Sequence, residues 1–169
     1  MTKDYGSFNI RTGKIEDAQA ILDIQKSVVS EGEFLIAYPD EFTKTPSQQE
    51  EWVRGILKND NETLMIAEKD DEVVGWIVFE GNQNRKRLSH TGSFGIMIKK
   101  NYRDMGIGKM LIQALLEWAE KNPIIEKVSL GVFSTNQKAI SLYKKMGFIV
   151  EGRKIKEFKF SKNEYVDDI

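Results

Sequence analysis

The chain has 169 residues, 25 of them basic and 26 acidic, for a formal net charge of −1, with one histidine and no cysteine. That length suits a single domain, residues 1–169, with a real core. The even charge balance leaves no global electrostatic case for nucleic acid. Without cysteine there are no disulfides, no thiol nucleophile and no cysteine metal site. With His90 as the only histidine, no multi-histidine metal centre can form. The first residues, 1–7, lack the apolar core of a signal peptide, and no run approaches membrane-spanning length. A cytoplasmic protein with neither nucleic-acid nor membrane partner is expected.

Phe8 to Thr12 reads as a first strand. Ala18, Ile21, Leu22, Gln25, Val28 and Val29 fall at helical spacing and predict a helix with one polar interruption, Gln25. Ser30 to Lys44 follows as a loop carrying Glu33, Phe34, Tyr38 and Phe42. That is a high aromatic content for a connector: the loop either covers a ligand or is tacked to the core by its rings. Thr45-Pro46-Ser47-Gln48 is a helix start, with a Thr N-cap, Pro at the first helical position and Gln reaching back. Trp52, Val53, Ile56 and Leu57 form that helix's buried edge. Strands over 62–69 and 72–80 are joined by the tight turn Asp70-Asp71. Asn82 to Arg87 is a polar loop, and Leu88 to Ile98 is the fourth strand.

That strand leads through Arg103-Asp104-Met105-Gly106-Ile107-Gly108-Lys109 into an amphipathic helix whose apolar stripe is Ile107, Met110, Leu111, Ala114, Leu115 and Trp118. The first turn of such a helix has backbone N–H groups with no partner inside it, at the positive end of the macrodipole. Gly106 and Gly108 remove side chains where a phosphate must approach the backbone. A P-loop is excluded, because Arg103 stands where its first glycine belongs and Met110 replaces the Mg²⁺-binding hydroxyl. A dinucleotide fingerprint is excluded because Leu111 stands where a small residue belongs. Val128, Leu130 and Val132 then alternate as a strand. Asn136 is a natural N-cap for a helix with the stripe Ala139, Leu142, Tyr143 and Met146, and Gly147 fits the left-handed position that ends it. Two last strands, 148–159 and 164–169, are separated by Ser161-Lys162-Asn163. There is no repeat and no linker.

Two of these segments carry a resemblance. Arg103-x-x-Gly106-x-Gly108, between a strand and a helix, resembles the coenzyme A pyrophosphate loop of the GNAT acetyltransferase superfamily. Asn136-x-x-Ala139-x-x-Leu142-Tyr143-x-x-x-Gly147-Phe148 is similar to that superfamily's second signature, in the same order. The resemblance implies an α/β (α+β) fold: a mixed, mostly antiparallel sheet of six to seven strands with four helices on its two faces. Two central strands of that sheet diverge to admit the cofactor. It implies acetyl-CoA as co-substrate, no metal, and an acetyl-CoA-dependent N-acetyltransferase that transfers the acetyl group directly to a primary amine of a small molecule or a protein N-terminus. The alternative is a non-catalytic acyl-CoA-binding sensor of the same fold.

By that resemblance the cofactor contacts are Ile96, Met97 and Ile98 along the strand, the loop Arg103, Asp104, Met105, Gly106, Ile107, Gly108 and Lys109, and Asn136. Tyr143 is the catalytic residue, a general acid toward the departing thiolate. Glu33, Tyr38 and His90 are candidate contacts for the acceptor. Many family members carry a glutamate base on the fourth strand, whereas this chain has His90, Gly92, Ser93 and Phe94 there. His90, Glu33, Glu80 or water could each accept the proton, and the sequence assigns none of them. A homodimer through terminal strands is expected, with Phe158, Phe160, Val166 and Ile169 at its edge.

Overall fold

The computed structural model describes residues 2–82 and 85–169, so the expected loop at 82–87 lies partly outside the described residues. Among the described residues four α-helices form, α1 (Ala18–Glu31), α2 (Pro46–Leu57), α3 (Ile107–Lys121) and α4 (Gln137–Lys145). The strands are β1 (Thr2–Asp4), β2 (Asn9–Thr12), β3 (Thr63–Lys69), β4 (Glu72–Gly81), β5 (Thr91–Ile98), β6 (Lys127–Ser129), β7 (Lys154–Lys159) and β8 (Tyr165–Asp168).

Local chemistry accounts for the boundaries that were expected. Thr45 accepts from the Gln48 N–H and Gln48 caps back, which starts α2 at Pro46. Asp70 and Asp71 both take positive φ, 49° and 64°, as a two-residue hairpin of this hand requires. Asn136 accepts from the Ala139 N–H to start α4, and Gly147, at φ 93°, ends it.

β1 to β6 form one sheet in sequence order, antiparallel throughout except for the parallel pair β5–β6. One face carries α3, with Phe79, Phe94, Ile107, Leu111 and Leu115 in its core. The other carries α1 and α2, over Ile21, Val53, Leu64, Ile66, Trp76 and Val78. The expected mixed, mostly antiparallel sheet therefore forms with six strands and helices on both faces, while β7 and β8 make a separate two-stranded sheet.

Several boundaries differ from the expectation. β1 precedes the expected first strand; its three residues show no apolar alternation, and it is held by pairing with β2 and by an ion pair from Lys3 to Glu117. β5 begins at Thr91 rather than Leu88, because Leu88–His90 turn back through Leu88 N–H to Arg85 O and Thr91 Oγ1 to Leu88 O. β6 is only three residues long, since its pairing with β5 stops at Ser129. β7 starts at Lys154 rather than 148 and pairs only with β8, with Lys156 at φ 56° inside an irregular register. Phe158 and Phe160 stack on Phe133 at 4.6 and 5.7 Å and Val166 is buried, so they pack within the monomer instead of forming an apolar edge. The exposed apolar residues of this region include Ile149, Val150, Ile155 and the ring of Tyr165.

Candidate active site

β5 and β6 pair only over Thr91–Ser93 with Lys127–Ser129, and past that point β5 keeps β4 alone as its strand neighbour. From Phe94 to Ile98 the edge that faced β6 is therefore open. Ile96, Met97 and Ile98 lie on this stretch, opposite Ile77, Trp76 and Gly75 of β4. A freed strand edge of this kind can pair with an amide-bearing chain laid along it.

The loop that follows turns on two unusual backbones, Asp104 at φ 62° and Gly106 at φ 83°. Gly106 caps α3 with no side-chain hydrogen bond, leaving the N–H groups of the first turn uncapped. A Cβ on Gly106 would meet nothing, so its glycine is required by φ. Gly108 has a different reason: a Cβ there would lie 3.1 Å from Leu142 Cδ2 and 3.6 Å from Ile98 Cδ1, so glycine lets α4 close on α3 beside the strand. The side chains of Met105 and Lys109 are exposed, while Ile107 is buried in the α3 core and offers only its backbone. Asp104 is paired with Lys138 of α4 at 3.0 Å. Arg103 is turned away from the loop amides. Its guanidinium grips Glu31 with two bonds of 2.6 and 2.8 Å, and its Nε donates to Ile98 O at 3.1 Å. The Arg103 hydrogen bond holds the Glu31 carboxyl below its ordinary range. This pair ties the end of α1, where the aromatic loop begins, to the end of β5.

From α4, Tyr143 sets its ring edge-on to Phe94 of β5 at 5.8 Å and to Phe148 at 6.1 Å. Burial pushes its hydroxyl up to about 12, so it is protonated across the neutral range. Asn136 spends its Oδ1 on the α4 cap.

On the α1/α2 face, Ser93 and Gly95 are exposed while Gly92 and Phe94 are buried against α3, the alternation of a strand with one covered face. Glu80 lies directly across from Ser93 on β4. Its Oε1 accepts from Trp52 Nε1 at 3.2 Å, and the Lys44 ammonium sits 4.5 Å from the Trp52 ring centre. Burial lowers Lys44 below its usual value, and burial with the Glu80 charge raises Glu62. Beneath them Trp76 Nε1 and the side-chain amide of Gln49 are buried without a hydrogen-bond partner among the described residues. Of the acceptor candidates, Glu33 and Tyr38 lie exposed on the loop after α1, and His90 sits in the turn before β5, with its carbonyl accepting from Glu126 and Lys127. The sequence assigns no site role to Glu31, Lys44 or Trp52, because nothing local sets them apart from loop or solvated charges and a packed ring.

No three histidine or acidic side chains among the described residues are placed to hold a metal ion, and no described helix is long and apolar enough to cross a membrane.

Comparison with known proteins gives a consistent result. The profile of the acetyltransferase (GNAT) family matches residues 28–148. An L-amino acid N-acetyltransferase of Escherichia coli, AaaT, is 33% identical over 103 residues, 61% of this chain and 62% of that protein. An N-alpha-acetyltransferase of Sulfurisphaera tokodaii is 30% identical over 167 residues, 95% of this chain and 87% of that one. Among solved structures, a GNAT-family acetyltransferase of Streptococcus pneumoniae superposes with a TM-score of 0.89 at 27% identity, covering 95% of both chains.

Proposed function

The chain belongs to the acetyltransferase (GNAT) family, and from that premise we propose that it moves the acetyl group of acetyl-CoA directly onto a primary amine. One observation carries the reading: the open edge of β5 and the uncapped start of α3 lie at the same end of the sheet, with Tyr143 beside them. The amides at Gly106–Lys109 take the pyrophosphate, where the helix dipole favours negative charge. Gly106 keeps that approach free of a side chain, and Lys109 adds positive charge at its rim. The pantetheine arm lies along Ile96–Ile98 as an added strand, and Asn136 contacts it from the α4 side. A backbone N–H of that edge polarises the thioester carbonyl, a contribution of about 3 kcal/mol per donor. Arg103 acts through Glu31 and Ile98, fixing the loop and strand end rather than touching phosphate.

The acceptor approaches from the other face, across the exposed Ser93–Gly95 stretch. Glu80, the carboxylate facing Ser93, receives the ammonium proton, with Trp52 orienting it. The nitrogen then attacks the thioester carbon, so a C–N bond forms as the C–S bond breaks, the sulfur leaves as thiolate, and the second nitrogen proton, released as the amide forms, passes to that thiolate. Tyr143 donates a hydrogen bond to that sulfur. Complete transfer from a hydroxyl near 12 to a less basic alkyl thiolate is uphill, so its part is stabilisation of the developing charge. No covalent acetyl-enzyme is formed on a chain that lacks cysteine.

The experiment has two parts: calorimetric titration with acetyl-CoA, then free-thiol release with a panel of amino acids, peptides with free N-termini, polyamines and amino sugars. Binding together with amine-dependent thiol release supports the reading. Binding with no release above hydrolysis for any amine would instead favour an acyl-CoA sensor, and no binding would remove both.

A further inference from the structure

On the α1/α2 face, Trp76, Val78 and Glu80 of β4 point the same way as their partners Met97, Gly95 and Ser93 on β5. A Cβ on Gly95 would meet only Val78 Cγ1, at 3.9 Å, so the sheet offers bare backbone between Ser93 and Met97. Trp52 of α2 borders this patch: its ring lies edge-on to Trp76 at 6.1 Å, and its Nε1 donates to Glu80 at 3.2 Å. Lys44, just before the α2 cap, holds its ammonium 4.5 Å from the centre of the same ring. Among the described residues Lys44 has no ion pair, and Glu80 acts on it only from beyond contact. Glu62, within reach of the Glu80 charge, is held by the Asn59 side chain and the Gly81 N–H. One positive and one negative group therefore flank a single indole beside open backbone, each without an opposite charge in contact.

We propose that Lys44 determines acceptor specificity by taking a carboxylate, so that the acceptor amine is the α-amino group of a free amino acid. The inference rests on the acetyl-transfer reading, with Glu80 as the group that meets the ammonium. A free amino acid carries its two opposite charges on one α-carbon. Its ammonium turns to Glu80 and its carboxylate to Lys44, and the bare backbone at Gly95 leaves room for the carbon between them. The Lys44 ammonium is partly withdrawn from water, and that burial lowers it below its usual value. A carboxylate partner restores the charged form that burial disfavours. Other amines fail one half of this match. A polyamine brings a second ammonium toward Lys44, and like charges repel. An amino sugar offers only neutral hydroxyls. A peptide N-terminus offers a neutral amide carbonyl, a weaker acceptor for an ammonium than a carboxylate.

The test measures thiol release by the full chain at saturating acetyl-CoA, with the standard L-amino acids each run beside its own carboxamide. The carboxamide reproduces the first peptide bond of a protein N-terminus. Preference is read as the ratio of kcat/KM for acid over carboxamide, compared between wild type and variant, so the differing basicity of the two amines cancels. Lys44→Met keeps an unbranched stem over Trp52 and should lower that ratio about tenfold or more, chiefly by raising KM for the amino acid. Circular dichroism and calorimetric acetyl-CoA affinity should stay as in wild type. Lys44→Arg, which keeps the charge, should retain the preference. A carboxamide or polyamine used better than every amino acid would overturn the inference and leave acetyl transfer standing. A ratio that Lys44→Met does not move would do the same. Bound acetyl-CoA with no thiol release from any amine would remove the acetyl-transfer reading, and this inference with it.

Discussion

Replacing Tyr143 with phenylalanine removes one oxygen and keeps the ring. That ring packs against Phe94 and Phe148, and its hydroxyl has no hydrogen-bond partner among the described residues, so the variant loses no internal bond. Stability at pH 7 should change by less than about 0.5 kcal/mol, below the cost of a lost hydrogen bond. The wild type behaves differently in alkali. Its Tyr143 value is raised by burial from 10.0 to about 12, so between those limits the unfolded chain releases a proton that the folded chain keeps. Stability that is fully present below pH 10 should decline by about 3 kcal/mol as pH rises through 12, and Tyr143→Phe should lack that decline. Turnover should fall about 10²-fold, at the lower end for loss of a general acid, because the uphill transfer confines Tyr143 to hydrogen-bond donation. The assays are urea denaturation from pH 7 to 12 and thiol-release kinetics with saturating acetyl-CoA. An unchanged rate constant on a productive amine would show that Tyr143 is a core residue and nothing more.

Three further outcomes are expected. Glu80→Gln should leave acetyl-CoA affinity within twofold, because Glu80 lies on the α1/α2 face, and should lower turnover about 10²-fold; a normal rate in stopped-flow turnover would assign the base elsewhere. Gly108→Val should destabilise by about 1–3 kcal/mol through overpacking, because its Cβ meets Leu142 at 3.1 Å, and should weaken acetyl-CoA in the same preparation. Denaturation midpoints equal to wild type would show that the contact relaxes freely. Asp17→Asn should cost about 3 kcal/mol at pH 7, since it breaks the largely buried pair with Arg11 at 2.8 Å. Burial raises the Asp17 carboxyl, and the Arg11 and Lys14 hydrogen bonds outweigh it, leaving the value lowered. Its stabilisation is therefore present above the ordinary carboxylate range and lost as pH falls through the lowered folded value, so the variant should show a shallower acid decline. Parallel acid profiles in urea would argue against that linkage.

Local rules written in the sequence determined much of this protein. Helix periodicity defined α1 to α4, and side-chain caps marked the starts of α2 and α4, because a cap is a contact between residues three apart and needs no tertiary partner. Asp70-Asp71 marked its hairpin for the same reason. The uncapped helix start with positive φ at Gly106 was legible too, since both are properties of a few consecutive residues. Other features rest on residues far apart in the chain. The divergence of β5 from β6 is a failure of pairing past Ser93 that neither strand's own sequence displays. Gly108 reads as a ligand glycine in sequence, yet it is also the seat for Leu142, thirty-four residues away. Arg103 reads as a phosphate ligand, yet its guanidinium grips Glu31, seventy-two residues upstream. Glu80 stands out only once β4 is laid beside β5 and it faces Ser93, where no carboxylate exists. In each case the deciding term is a pairing or a packing distance between segments, and only the closed fold supplies it.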